Sequence, residues 1–132
     1  MTVPPGNLDA ERATLGAILS ASSYGADAGW RIIARCRQVR LRPEHFTLPT
    51  NGLLYALLLR LEADGVSCDP VSAAAGIEQD AKQKLPVEDE LAAERLLARL
   101  TALASEVVAF GNVEHWAGIV IAAARERGQG QA

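Results

Sequence analysis

Apolar positions recur along most of this chain at the three- and four-residue spacing of helices. Nowhere do they alternate long enough to argue a strand. The pattern predicts six helices. The first runs from about Leu8 to Ser22. Asn7 is its N-cap, Asp9 and Glu11 sit at the positive end of the helix dipole, and Leu8, Leu15, Ile18 and Leu19 share one face. Pro4 and Pro5 hold its lead-in extended. After Gly25 a second helix covers about Asp27–Arg37 and turns Trp30, Ile33 and Ala34 inward, and a loop carrying Pro43 ends at Phe46. The third runs from about Pro49 to Asp64, closed by Gly65 at C′. Leu53, Leu54, Tyr55, Leu57, Leu58, Leu59 and Leu61 point in nearly every direction around it, so it is expected at the centre of the core. The fourth begins with Asp69 as N-cap and Pro70 at N1, and ends near Gln79, before a polar loop at Asp80–Pro86.

The last two helices are longer, about Val87–Val107 and Asn112–Arg127, with Asn112 as N-cap. Only Val108–Gly111 separates them, which predicts an antiparallel pair. Leu96, Leu100, Leu103 and Val107 form one seam; Val113, Trp116, Val120 and Ala124 form the other. Leu91 and Leu97, and Ile119, Ile121 and Ala123, lie off those seams. A second apolar face therefore remains, to pack on the preceding helices or to meet another subunit. The fold class read from the pattern is all-α. It consists of a head of about four helices (residues 1–80) and a C-terminal antiparallel helical hairpin (residues 87–127) within one domain.

With 132 residues, 49% of them apolar and 22% charged, the chain has a globular composition and a common domain length. Its longest apolar runs, Leu53–Leu59 and Ala117–Ala124, fall far short of the ~20 residues of a membrane span. The opening MTVPPGNLD has neither a basic nor an apolar leader region, and Cys36 and Cys68 form no disulfide framework, so a cytoplasmic protein is expected. A net charge of −3 disfavours nucleic acid as the main partner. The one basic stretch is Arg31, Arg35, Arg37, Arg40 and Arg42. No aromatic ladder accompanies it, so a solvated face is the simpler reading and a nucleic-acid surface the rival one.

Catalytic signatures are missing. No P-loop occurs, and Lys82 and Lys84 follow no glycine-rich turn; there is no G-x-S-x-G, H-E-x-x-H or C-x-x-C. Cys36, His45, Cys68 and His115 match no familiar zinc spacing, so no metal or other cofactor is expected. Glu88, Asp89, Glu90 and Glu94 read as a solvated helix N-terminus rather than an acid–base pair. An enzyme is the least favoured class.

Three blocks then carry a resemblance. PPGNLDAERATLGAIL resembles the start of the amino-terminal domain of DnaB-type replicative hexameric helicases, through Pro4, Pro5, Asp9, Ala10, Glu11, Leu15, Gly16, Ile18 and Leu19. LRPEHFTLPTNGLLYALLLRLEADGVSCDPVS resembles that family at Phe46, Pro49, Leu54, Tyr55, Leu61, Gly65, Asp69 and Val71. GNVEHWAGIVIAAARER resembles it at Asn112, Trp116, Ala117, Ile119, Val120 and Arg127. Departures are Arg99 in place of a Tyr, Val108 in place of a Pro, Thr50 and Asn51 in place of a His-Arg type pair, and Trp116 in place of a Tyr. The usual Gly-Gly before the hairpin is missing, and the Ser22–Arg42 stretch is longer.

The resemblance implies a helical head with a hairpin that pairs between subunits. Such pairs form a collar above the motor ring, where primase or a loader docks, while the ATPase lies in a separate RecA-like domain. On that reading the chain is a non-catalytic oligomerisation and docking domain, without cofactor or membrane contact and with nucleic acid at most an indirect partner. Leu96, Leu100, Leu103, Trp116, Ile119 and Val120 are its candidate interface residues. The alternative is a stand-alone adaptor or regulator of the same fold that binds a host helicase or primase.

Overall fold

Small side chains decide which helix takes the centre. The computed structural model describes residues 7–82, 90–106 and 111–128. Its elements are α1 (Asn7–Ser22), α2 (Ala26–Gln38), a short 3-10 turn (Pro43–His45), α3 (Pro49–Ala63), α4 (Pro70–Lys82), α5 (Glu90–Ala104) and α6 (Val113–Glu126). No strand occurs among the described residues. The central element is α1, which packs against α2, α3, α5 and α6. Ala10, Ala17 and Ala21 let neighbouring backbones come close, and Leu15, Ile18 and Leu19 fill the space between them. Thr14 and Ser22 are buried there too. Each hydroxyl donates to the carbonyl four residues back, Ala10 O and Ile18 O, both at 2.7 Å, so neither needs water.

The leucine-rich α3 is therefore not the centre that its sequence predicts. Leu54, Tyr55, Leu57, Leu58 and Leu61 are buried, but Leu53 is 56% exposed. Neighbours cover α3 from the 3-10 turn, α4, α5, α1 and α2, but they leave Leu53 open. Leu8, expected on the inner face of α1, is 47% exposed because it stands at the helix end, beyond the packed turns. In α2 the inward residues are Ile32, Ile33 and Cys36; Ala34 faces solvent. Trp30 is half-buried and donates Nε1–H to Val66 O at 3.0 Å.

The predicted ends hold with three changes, the first being that α5 closes at Ala104 and does not run on towards Val107. Gly65 follows α3 with φ +74°, a conformation glycine adopts without a Cβ clash. Asp69 caps α4, accepting Ser72 N–H at 2.8 Å. That helix continues to Lys82 rather than Gln79, and Arg60 of α3 bonds Asp80 in its last turn at 2.6 Å. Asn112 precedes α6 without a side-chain cap; its carbonyl, not its amide, accepts His115 and Trp116 N–H.

The hairpin seam is the larger correction. Residues 107–110, which hold most of the predicted turn, lie outside the described residues. Over what is described, α5 packs on α4, α3 and α1, whereas α6 packs on α1, α2 and the 3-10 turn. The two helices lean on the head far more than on each other. The reason is that α6 brings Val113, Ala117, Val120 and Ala124 to one stripe, and that stripe matches the small-residue surface of α1.

Candidate interaction surfaces

Six residues were expected at a subunit contact, and the fold divides them. Leu100, Leu103 and Val120 are at most 4% exposed, so this chain's own core uses them and an intact fold leaves them no part in an interface. Leu96, Trp116 and Ile119 are partly buried against the core and keep an outer edge. Trp116 and Ile119 stand three apart on α6, so their edges share one side of that helix. Gly118 and Ala122 beside them are exposed. Leu96 joins exposed Leu53 and Ala56, Ile77, Ala92 and Ala93 in an apolar groove of about 300 Å³ between α3, α4 and α5.

The basic stretch is also divided. Arg35 forks onto Glu114: Nε donates at 2.6 Å, and Nη2 also reaches Gly111 O at 2.7 Å. That clamp ties α2 to the start of α6, and the guanidinium holds the Glu114 carboxyl below its ordinary pKa. Arg37 pairs with Glu62 of α3 at 2.8 Å, and Arg42 pairs with Glu44 at 3.3 Å. Arg31 and Arg40 are exposed, and Arg40 sits at φ +67°. So the five arginines are not one face. Arg37, Arg40 and Arg42 border a groove of about 700 Å³ together with Arg125 and His45, whereas Arg31 and Arg35 do not.

His45 organises that groove. Its Nδ1 accepts the backbone N–H of Arg42 at 2.9 Å, which requires the neutral ring. Its carbonyl accepts Arg127 Nη2 at 2.9 Å, and Arg127 Nη1 donates to Thr47 Oγ1 at 2.7 Å. The end of α6 is thereby latched to the 3-10 turn. Burial, and then the Arg42 cation, lower the His45 pKa; Glu44 opposes them, and Arg125 and Arg127 add to the lowering.

The sequence reading placed Glu11 at the helix dipole and in the first family block, and the structure gives it more to do. Fully buried, its carboxylate accepts Thr47 N–H at 2.6 Å and Asn51 Nδ2–H at 2.8 Å. Asn51 Oδ1 in turn accepts Arg99 Nε–H at 2.9 Å. One buried acid thus joins α1, the start of α3 and α5. Its burial could have been suspected from its place one turn before Leu15 and Ile18, but no local pattern names its partners.

The remaining candidates stand apart. Cys36 and Cys68 are buried and free, and burial pushes each thiol up to about 12, which removes them as nucleophiles near neutral pH. His115 is exposed, and no group of three or more His, Cys, Asp or Glu among the described residues is placed to hold a metal ion. Glu88 and Asp89 lie outside the described residues, and Glu94 is exposed. No described helix is long and apolar enough to cross a membrane.

Comparison with known proteins adds the family. No curated protein and no solved structure matches the chain. The DnaB-like helicase N terminal domain matches residues 3–122, which takes in the first two sequence blocks, the Glu11 clamp and the third block with α6 as far as Ala122. With nine-tenths of its length matched, and an all-helical fold to go with it, the chain belongs to the DnaB-like helicase N-terminal domain family.

Proposed function

We propose that this domain works as an oligomerisation and docking module of a DnaB-type replicative helicase. It contributes to the collar and receives primase or a loader protein in the cytoplasm, while ATP hydrolysis belongs to a motor domain. The observation that carries the reading is the family match over residues 3–122. Two features support it. Trp116 and Ile119 leave apolar edges on one side of α6, and Leu53 and Leu96 line an apolar groove on another side.

Sedimentation of the isolated chain, alone and with primase, tests the reading. Ile119→Asp places a charge on the α6 strip and weakens self-association while helicity persists. Ile119 also touches the core, so Gly118→Arg serves as a second variant: open space surrounds that position, and bulk there obstructs only what lies outside the chain. Association unchanged by Gly118→Arg, with primase binding also unchanged, would remove α6 as the contact surface.

A further inference from the structure

The groove beside His45 has an apolar floor and a basic rim. Val39, Leu41, Leu59 and Ile121 supply its apolar lining; Arg40, from the loop after α2, and Arg125, from the end of α6, both line it. No carboxylate lines it, in a chain whose net charge is −3. Glu62 and Glu44 offset Arg37 and Arg42 from outside, but Arg40 and Arg125 make no salt bridge among the described residues. Arg40 also holds a left-handed backbone conformation that suits glycine or asparagine, so a cation is carried where the backbone favours a smaller residue.

We propose that this groove binds an acidic peptide segment from another protein, seating one apolar side chain on the floor between carboxylates held by Arg40 and Arg125. Charge complementarity selects the acid, and the floor selects a side chain beside it. A nucleic-acid strand fits less well, because no Phe, Tyr or Trp lines the groove and the His45 ring is buried, so neither offers a face to stack on a base. The inference does not rest on the collar reading. The groove is built by one chain, and its test needs neither helicase nor primase.

The probe is a fluorescein-labelled peptide alternating aspartate with leucine and phenylalanine, titrated with the chain at low salt and read by anisotropy. Binding is expected, weakening as salt rises. Arg40→Glu and Arg125→Glu each replace an attraction with a repulsion, so each weakens binding roughly five- to tenfold, with helicity retained. Methyl chemical shifts of the unmodified chain should move at Val39, Leu59 and Ile121, which tests the site without any variant. Four results would overturn the proposal: no peptide binding at low salt; equal binding of the asparagine counterpart; tighter binding of a short oligothymidine; or methyl shifts confined to another surface. A dimer of the chain that both reversals dissociate would assign the groove to a second copy, and overturn it as well.

Discussion

Gly52 lies in the first turn of α3, where the 3-10 turn crosses it. A Cβ built there would stand 2.7 Å from the Pro43 carbonyl oxygen, a backbone atom that no rotamer change can remove. Two terms oppose each other in Gly52→Ala. Alanine in a helix is favoured over glycine by about 1 kcal/mol. Against that, the turn must be pushed back by a few tenths of an ångström or more. The Thr47 N–H bond to Glu11 and the Tyr55 hydroxyl bond to Leu41 O lie in the same crossing. Overpacking of this kind costs about 1–3 kcal/mol. The net result runs from no gain to a loss of about 2 kcal/mol. Gly118→Ala supplies the control, because that helical position is exposed with nothing within 4 Å of the added carbon. There the propensity term acts alone and stabilises by about 1 kcal/mol, or roughly 3–5 °C in Tm. Urea midpoints of both variants, at one protein concentration and with m unchanged, measure the difference. Equal stabilisation by the two substitutions would refute the close crossing of Pro43 over α3.

Glu11→Ala withdraws the acceptor from Thr47 N–H and Asn51 Nδ2–H inside the protein, and is expected to cost about 3–5 kcal/mol, with Glu11→Gln costing less. A fully stable Glu11→Ala in urea denaturation would contradict the clamp. For His45 the folded pKa lies below its unfolded value, so the neutral ring's contribution is complete above about pH 6.5 and is lost as pH falls through the folded value. His45→Asn keeps an acceptor for Arg42 N–H without titrating, so its urea midpoint should fall less than the wild type's between about pH 7 and pH 5; parallel curves would exclude His45 as the cause. At Asp69 burial raises the pKa, but bonds from Ser72 and Ser67 outweigh it and leave the carboxyl low. Asp69→Ala therefore costs about 1 kcal/mol at neutral pH. That cost fades as pH falls through the folded Asp69 value, which differential scanning calorimetry can follow.

Helix positions were legible because the local signals agreed: Gly65 after α3, and Asp69 and Pro70 before α4, each mark a boundary that the backbone obeys. The centre was less legible. Leucines advertise burial, and α3 has the most, whereas α1 owes its place to Ala10, Ala17 and Ala21, which any surface helix could carry. The packing partners of the two hairpin seams were misread for a related reason. A seam repeat states that a stripe is buried but not against what, and the stripe of α6 met α1. The basic stretch dispersed because Arg35 and Arg37 found Glu114 and Glu62, 79 and 25 residues away, partners that a local window cannot show. Two departures from the family pattern turn out to be one feature. Asn51 and Arg99, both read from the sequence as departures from the family it resembles, are hydrogen-bonded to each other. Through the asparagine, Arg99 of α5 is linked to the buried Glu11.

The pairing of α1 with α6 sets an order of events during synthesis. Of the described helices α1 leaves the ribosome first, and α6, which it packs against, follows about a hundred residues later. Until then Ala17, Ile18 and Ala21 have only part of their final surroundings, and the nascent chain waits with its central element uncovered. Helical proteins usually fold quickly because their contacts are local. Closing this core joins helices about a hundred residues apart, so refolding slower than that of a simple up-and-down bundle of the same size is expected from the α1–α6 pairing.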